Sequence, residues 1–300
     1  MHTTCRPVRL QDLKAALGIV QEAYNDLRLR HGLPATVVLG PPAFQMFCLA
    51  EDPDGLWVAE RGNAMVGFGF AWMRERFWFL AQLFVLPGSQ ATGIGQTILS
   101  TALQHATQRD AGNRALITMA YNTASTGLYI QNGLYPREPL LRLAAPIQCI
   151  KAACIPGVNL DVVPIAWPED RDWLGRIDQA VLGFRREEHH AFLPGGYAAR
   201  GLRIEQAGRP AGYAYVSAAG HIGPLAVSLG ADPKEVVGAA IRHALEGRPK
   251  QVTMIVPGRA NLILDATSRL GFRIEEPLVL LSTIPFGDWR HYLPCNPGFM

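Results

Sequence analysis

The sequence predicts two consecutive α/β domains, and three observations lead to this fold class. A strand, a glycine-bearing loop and a helix follow one another between Phe77 and Leu99. The order of apolar segments around this stretch recurs in the second half of the chain. The length of 300 residues exceeds one ordinary domain and suits two. We therefore expect a mixed α/β sheet in each half.

The first of these observations is the sequence FWFLAQLFVLPGSQATGIGQTIL, which begins at Phe77. Its apolar run Trp78–Leu86 is typical of a strand that is buried on both faces. After it, apolar residues recur at helical spacing, at Ile94, Ile98, Ala102 and Ala106. The connecting loop opens onto a helix start, where N–H groups lack partners and favour anions. Gly93 and Gly95 lack the Cβ atoms that would hold a phosphate away from the backbone.

The other elements of the first half follow from apolar periodicity and turn residues. The Gly62-Asn63 pair predicts a hairpin turn between two strands. The predicted elements are a strand at Val8–Leu10, a helix from Leu13 to Leu27, a short helix at Phe44–Leu49, strands at Leu56–Glu60 and Ala64–Trp72, and later strands at Ala115–Ala120 and Leu140–Leu143.

The second half repeats this order of elements. The repeated segments are a strand at Val162–Ile165, a helix from Leu174 to Phe184, a hairpin with strands at Leu202–Glu205 and Ala211–Val216, a central strand at Ile222–Leu229, a helix from Val236 to Leu245 and a strand at Val252–Val256. Residues 146–159 contain Pro146, Pro156 and Gly157 and are predicted to connect the halves. The predicted domains are therefore residues 1–145 and 160–300.

Composition excludes several classes of protein. Hydrophobic residues make up 49% and charged residues 18% of the chain, as in a well-buried globular protein. A net charge of +3 without a basic tract gives no support to nucleic-acid binding. The five cysteines are scattered and lack metal-ligand spacing, so we expect no metal. No apolar stretch is long enough for a bilayer, and we expect a cytoplasmic protein without a membrane partner.

Two signatures in this chain resemble those of the GNAT N-acetyltransferase superfamily. Its pyrophosphate loop reads Arg/Gln-x-x-Gly-x-Gly/Ala between a strand and a helix, and this chain has Gln90-x-x-Gly93-x-Gly95 there. Its second signature is Asn-x-x-Ala/Ser-x-x-Leu-Tyr-x-x-x-Gly-Phe. The matching residues are Asn122, Ser125, Leu128, Tyr129 and Gly133, with Leu134 in place of the final Phe. Over nearly its whole length the chain resembles tandem members with a degenerate second domain.

The resemblance implies that each domain has a mostly antiparallel, twisted sheet with helices on both faces. It also implies that acetyl-CoA is the co-substrate and binds in the first domain. The pantetheine arm is expected along the strand at Leu83, Phe84 and Val85. The pyrophosphate is expected on the backbone N–H groups of Gln90, Ala91, Thr92, Gly93, Ile94 and Gly95. Gln90 and Thr92 replace frequent basic residues, so the loop has no cation of its own and modest affinity is expected.

Candidate catalytic groups come from the second signature. Tyr129 is the candidate general acid, because a phenol keeps its proton at neutral pH and can donate to a thiolate; packing on the helix is the alternative. Asn122 and Ser125 either bond the pantetheine arm or cap the helix. The base is open: Glu75, or Glu22 and Tyr24 through water, are candidates, and an already neutral amine needs none.

The second domain is expected to differ in chemistry. In place of the glycine loop stands Gly230–Glu235, where Asp232 suits the N-cap, Pro233 the first helical position and Glu235 a capping box. A helix start with these residues satisfies its own N–H groups and repels phosphate. Thr267 stands where the signature tyrosine would be. We therefore predict that the second half does not bind coenzyme A in the same way.

The sequence thus predicts an N-acetyltransferase that moves an acetyl group from acetyl-CoA to a small-molecule amine. The alternative is an acyl-CoA-binding sensor of the same fold without turnover, and a protein or peptide acceptor is a third possibility. A monomer is expected. Two further segments are interpreted structurally: Glu187–His190 as a solvated helix end, and the aromatic tail Phe286–Met300 as a segment that docks on the fold.

Overall fold

The computed structural model describes residues 3–35 and 37–300, and the chain forms two compact units. The first unit contains the chain up to Ile117 together with Tyr121–Tyr135. The second contains Thr118–Ala120 and Pro136–Met300. Each unit is a mixed α/β structure, which confirms the predicted fold class. The domain boundaries at residues 145 and 160 stay a prediction.

The sheet of the first unit has the strand order β1-β2-β3-β4-β5. These strands are β1 (Thr3–Pro7), β2 (Leu56–Arg61), β3 (Ala64–Arg74), β4 (Phe77–Val85) and β5 (Asn113–Met119). Neighbouring strands are antiparallel except for β4 and β5, which run parallel. The predicted hairpin is present, and Gly62 supplies its left-handed turn residue with φ of 62°.

The helices of the first unit cover both faces of this sheet. They are α1 (Leu13–Arg30), α2 (Ala43–Glu51), α3 (Ile94–Gln108) and α4 (Thr123–Gln131). The ring of Phe84 on β4 lies 6.5 Å from that of Tyr24 on α1. The neighbouring Leu83 and Val85 instead pack with Ile94 and Ile98 of α3. Because successive side chains of a strand alternate in direction, α1 and α3 lie on opposite faces.

Two glycines of β3 set how closely α3 approaches the sheet. A Cβ atom at Gly67 would stand 2.7 Å from Cδ1 of Ile98, and one at Gly69 would stand 2.4 Å from its Cγ2. Both distances are below van der Waals contact, so a side chain at either glycine would force the helix outwards. The start of α3, where the glycine-bearing loop ends, is therefore positioned by residues that lie far away in sequence.

The sheet of the second unit has the order β12-β6-β11-β10-β9-β8-β7, with β13 beside β10. Its strands are β6 (Tyr135–Pro146), β7 (Asp161–Pro164), β8 (Ala199–Gln206), β9 (Arg209–Ser217), β10 (His221–Val227), β11 (Gln251–Pro257), β12 (Arg273–Ser282) and β13 (Tyr292–Leu293). Strand β6 pairs antiparallel with β11 from Leu140↔Pro257 to Pro146↔Gln251. A strand that precedes the second set of elements in sequence is thus part of its sheet.

The helices of the second unit are α5 (Arg171–Leu182), α6 (Glu187–Gly196), α7 (Pro233–Glu246) and α8 (Asn261–Leu270). Helices α7 and α8 pack around a core in which Val236, Val237 and Ile241 of α7 meet Leu225 and Val227 of β10. Both α5 and α8 end at glycines with positive φ, Gly183 and Gly271. The repeated order of elements predicted for the second half is present.

Two local predictions are wrong. The first strand is Thr3–Pro7 rather than Val8–Leu10, because a 3-10 turn at Leu10–Asp12 ends the extended segment. His189 and His190 are not at a solvated helix end, since both are fully buried inside α6. Asp178 on α5 accepts a hydrogen bond from His190, and such a partner from another helix has no signal in local sequence.

Candidate active site

The central strand β4 changes its pairing halfway along its length. Its antiparallel ladder with β3 shifts register between Phe70 and Ala71, which leaves Ala81 as a bulged residue. Its parallel pairing with β5 covers only Phe77–Leu80 opposite Asn113–Leu116. Beyond the bulge, the part of the chain that the structure describes gives β4 no partner on the β5 side. The two strands therefore diverge where the glycine-bearing loop approaches.

The backbone amides of β4 beyond the bulge alternate between its two edges. Leu86 N–H donates to Val66 O at 2.9 Å, which fixes the phase of the ladder with β3. The backbone N–H and C=O groups of Phe84 therefore point towards β3. Those of Leu83 and Val85 point to the opposite edge of β4. Nε2 of Gln90 donates to Val85 O at 3.0 Å. The amide groups of Leu83 keep no hydrogen bond to any described residue.

A row of free backbone donors follows β4. Gln90 N–H donates to Pro87 O at 3.3 Å, and the next paired donor is Thr97 N–H, which bonds Gly93 O at 3.0 Å. Among the described residues, none of the six N–H groups from Ala91 to Gln96 donates a hydrogen bond. Ala91 and Gly93 are in the left-handed region, with φ of 57° and 86°. We call residues 91–96 the N–H cradle; it adjoins the positive end of the α3 dipole.

The two glycines of the cradle serve different purposes. A Cβ atom at Gly93 would meet open space, so the requirement for glycine there is its positive φ. A Cβ atom at Gly95 would make ordinary contacts of 3.8–4.0 Å with Leu128, Leu83 and Val85. A Cβ atom on Gly93 thus has room on all sides, while one on Gly95 would face β4 and α4.

Two arginines from other elements reach the side chains of this loop. Nη2 of Arg61, at the end of β2, donates to Thr92 Oγ1 at 2.7 Å. Nη2 of Arg30, in the last turn of α1, donates to Gln90 Oε1 at 3.1 Å and also pairs with Asp26. The loop has no cation of its own, as the sequence indicates, but two cations lie against it. Neither arginine is indicated by the sequence, because both lie far from the loop along the chain and give no local signal.

Helix α4 carries the residues of the second signature. Oδ1 of Asn122 accepts a hydrogen bond from Ser125 N–H at 3.3 Å, so Asn122 caps the helix. The hydroxyl of Ser125 makes no hydrogen bond to a described residue. Gly133, with φ of 81°, ends the helix, and Leu134 N–H bonds back to Tyr129 O.

Tyr129 is buried on α4, and its hydroxyl has no hydrogen-bond partner among the described residues. Burial raises the pKa of Tyr129 above its ordinary value, so the phenol stays protonated at neutral pH. This hydroxyl is therefore available as a donor.

The candidate bases lie in the turn before β4 and on α1. Glu75 occupies the turn before β4, roughly 30 Å of extended strand from Val85. Glu22 lies on the outer side of α1, where it lines an open cavity with Asp26 and Pro87. Tyr24 packs on Phe84. Directly after the bulge, the α1 face of β4 presents Gln82, whose Oε1 accepts from Gln45 on α2 at 3.1 Å. An amide cannot take a proton at neutral pH.

The corresponding region of the second unit is built differently at the helix start. The side chain of Asp232 accepts from Lys234 N–H at 3.1 Å, and Glu235 N–H bonds Asp232 O. Pro233 occupies the first helical position and has no N–H. Asp232 thus caps α7 as predicted, although no bond from the Glu235 side chain back to the cap is present among the described residues. Thr267 uses its hydroxyl within α8, donating to Ile263 O at 2.7 Å.

In the second unit, the tail of the chain occupies the edge of β10 where β11 no longer pairs with it. Strand β10 has a register shift between Ile222 and Leu225 and pairs with β11 only at His221 and Ile222. Beyond the shift, Leu225 and Ala226 pair with Leu293 and Tyr292 of β13. The aromatic tail therefore docks on the fold, as predicted, and occupies the edge that is free on β4.

No group of three or more His, Cys, Asp or Glu side chains within residues 3–35 and 37–300 is arranged to hold a metal ion. No helix over the same residues is both long and apolar enough to cross a bilayer.

Comparisons with known proteins agree on one family. The model of the acetyltransferase (GNAT) family matches residues 20–134, which include β4, the N–H cradle and α4. The uncharacterized N-acetyltransferase YhfO of Bacillus subtilis (strain 168) is 30% identical over 105 residues, or 33% of this chain and 70% of that protein.

Solved structures are similar over nearly the whole chain. A protein from Pyrococcus horikoshii is 18% identical and has a TM-score of 0.74, with 99% of this chain and 96% of its own covered. A tandem GNAT protein from the clavulanic acid biosynthesis pathway is 16% identical, with a TM-score of 0.63 and coverages of 95% and 99%. At these identities the likeness shows the fold, and it extends through both halves.

Proposed function

The chain belongs to the acetyltransferase (GNAT) family, and we propose that it transfers an acetyl group from acetyl-CoA to a small-molecule amine in its first unit. The observation that carries this proposal is the N–H cradle of residues 91–96 beside the unpaired edge of β4. Six free donors at a helix start suit a pyrophosphate. A free strand edge suits a ligand with amide groups of its own.

Each part of the coenzyme has a suitable partner in this proposal. The free N–H and C=O groups of Leu83 receive the amides of the pantetheine arm. The N–H cradle receives the pyrophosphate. Arg61 and Arg30 add positive charge beside it, so affinity does not rest on dipoles and neutral hydrogen bonds alone. This revises the expectation of modest affinity that follows from the loop sequence.

Tyr129 is proposed as the general acid. The amine nitrogen attacks the thioester carbon, the carbon–sulfur bond breaks, and the sulfur leaves with the electron pair. The unpartnered Tyr129 hydroxyl donates its proton to this thiolate and recovers one from water. The amine loses a proton to water, because Gln82 cannot accept one. An acceptor that is already neutral at the working pH therefore suits this site best.

An acyl-CoA-binding protein without turnover is the second candidate. The observation in its favour is that Gln82 and Phe84, the side chains that β4 presents towards α1 beyond the bulge, cannot act as bases. Consumption of acetyl-CoA with a panel of amines separates the two candidates, since a sensor releases no free thiol. The expectations of a cytoplasmic monomer are part of the proposal, and sedimentation velocity tests the monomer.

We propose one coenzyme per chain. In the second unit β13 occupies the edge of β10, and Asp232 caps the helix that would face the pyrophosphate. A bound phosphate there would lose backbone donors and meet a carboxylate.

Calorimetric titration of acetyl-CoA into the full chain tests this assignment. The expected stoichiometry is one, and Gly93→Trp should abolish binding because a tryptophan cannot keep the positive φ that shapes the cradle without strain. Gly88→Trp is the matched control, since Gly88 precedes the cradle and a Cβ atom there would meet nothing within 4 Å. A stoichiometry of two contradicts the proposal that the second unit binds no coenzyme. Unchanged binding by Gly93→Trp contradicts the coenzyme site itself.

A further inference from the structure

A chain of buried polar groups crosses the second unit. Asp178 on α5 accepts from Nε of Arg186 at 2.8 Å, and it also accepts from the Tyr213 hydroxyl. Nε2 of His190 lies 2.9 Å from the same carboxylate, and Nδ1 of His190 lies 2.9 Å from the Tyr215 hydroxyl. All five side chains are at most 1% exposed. The function proposed above uses none of them.

The direction of these hydrogen bonds follows from the charges. Burial opposes ionisation of Asp178, but Arg186 and His190 bring its pKa below the ordinary value, so it is an acceptor only. His190 therefore donates from Nε2. Burial lowers the pKa of His190, and a neutral imidazole then accepts at Nδ1. The Tyr215 hydroxyl consequently donates a hydrogen bond to Nδ1 of His190, and its oxygen can still accept a hydrogen bond from another partner.

Tyr215 and His190 line a cavity of about 520 Å³. Most of the remaining lining is apolar and comes from β7, the segment after it and the start of β8, including Ile165, Trp167 and Leu202. Trp167 is 38% exposed, which is high for a large apolar side chain. A cavity of this size with a few polar groups in an apolar wall is typical of small-molecule sites.

His243 of α7 adds a second polar group to the wall. Its Nδ1 lies 3.2 Å from Glu246 Oε2, and a proton on Nδ1 avoids repulsion between a nitrogen lone pair and this carboxylate. Its Nε2 is buried and has no hydrogen-bond partner among the described residues. Burial lowers the pKa of His243, so the ring is neutral and Nε2 offers a lone pair. An unpaired buried acceptor costs free energy that a donor on a ligand would recover.

Arg200 is the charged residue of this wall. It is exposed and forms no ion pair within the described residues. Its Nη2 stands 3.9 Å from the position of a Cβ atom on Gly247, at the end of α7, where the helix dipole favours a cation. The wall therefore combines one free cation with two acceptors, Tyr215 and His243.

We propose that this cavity binds a small organic acid with an apolar body, a carboxylate that pairs with Arg200 and a hydroxyl or N–H donor that reaches Tyr215 or His243. An aromatic hydroxy acid satisfies these three conditions. The site is distinct from the coenzyme site proposed for the first unit, and titrations without acetyl-CoA test it independently.

The experiment uses the full chain and three probes that differ by one group each. These are 3-(4-hydroxyphenyl)propionate, 3-phenylpropionate, which lacks the donor, and the methyl ester of the hydroxy acid, which lacks the charge. We expect the hydroxy acid to bind with a Kd below about 1 mM. Removal of the hydroxyl should weaken binding about fivefold, and removal of the charge about tenfold.

Two variants assign the contacts. Arg200→Gln should weaken binding of both acids about tenfold and leave the ester unchanged. Arg209→Gln is the matched control, because Arg209 is also exposed but lies outside the cavity wall. Tyr215→Phe should reduce the preference for the hydroxyl, with circular dichroism to verify folding. The proposal is overturned if no probe binds at 1 mM, if acid and ester bind equally, or if Arg200→Gln has no more effect than Arg209→Gln.

Discussion

Substitution of Gly69 by alanine tests whether close packing of α3 on β3 positions the N–H cradle. The new methyl group would lie 2.4 Å from Cγ2 of Ile98, whereas ordinary contacts begin at 3.4 Å. Helix α3 must therefore move away from β3 by about 1 Å, or the side chain of Ile98 must leave its rotamer. Overpacking of this kind costs about 1–3 kcal/mol of unfolding free energy. A shift of about 1 Å at the cradle would lengthen its hydrogen bonds to the coenzyme, and loss of one such bond to a charged group weakens binding about tenfold or more.

A double-mutant cycle with Ile98→Ala separates this clash from a general loss of stability. Ile98 is fully buried, so Ile98→Ala alone should cost about 2–5 kcal/mol. It also removes the atom that meets the new methyl group, and the remaining Cβ lies at 3.9 Å. In the Ile98→Ala background, Gly69→Ala should therefore cost less than about 0.5 kcal/mol.

The assays are chemical denaturation of the full chain and calorimetric titration of acetyl-CoA. Gly18→Ala is the control, because Gly18 lies within α1 and a Cβ atom there would meet nothing within 4 Å. It should be neutral or stabilising by up to about 1 kcal/mol. Equal costs of Gly69→Ala in both backgrounds would refute the packing argument. A destabilised Gly69→Ala variant with unchanged coenzyme affinity would refute the link between α3 and the cradle.

Three further predictions concern single groups. Tyr129→Phe should lower kcat about 10²–10⁴-fold in a thiol-release assay, with coenzyme affinity and stability unchanged because its hydroxyl has no partner; a normal kcat would exclude the general acid. Arg61→Gln and Arg30→Gln should each raise the Kd for acetyl-CoA about three- to tenfold at low salt, while Arg76→Gln, at the far end of β4, should not. Burial lowers the pKa of His221 to about 4, so the unfolded chain binds a proton first as pH falls. Stability should therefore decrease between pH 6.5 and 4, by up to about 3 kcal/mol, and His221→Gln should flatten this slope in denaturation curves.

Much of the fold was predictable because its signals are local. The apolar run of β4, the glycines at 93 and 95 and the cap at Asp232 act on their own backbone, and periodicity together with turn chemistry shows them directly. The predicted loop, helix and hairpin are present for this reason. The roles of Tyr129 and Ser125 stay predictions, since their hydroxyls meet no described partner.

Other features of the candidate site depend on residues that are distant in sequence. The bulge at Ala81 is a register shift between β3 and β4, and neither strand's own sequence indicates it. Arg30 and Arg61 reach the loop from α1 and β2, and β13 fills the edge of β10 from the end of the chain. Each is a pairing of segments whose separate sequences are ordinary.

The sequence by itself determined the order of elements, the family signatures and which helix start lacks a capping side chain. Only the tertiary structure decided which strand edge stays open, which cations stand beside the loop and that His189 and His190 are buried. The physical reason is that backbone conformation and capping depend on neighbouring residues. Charge complementarity, strand pairing and burial depend on contacts that form when distant segments fold together.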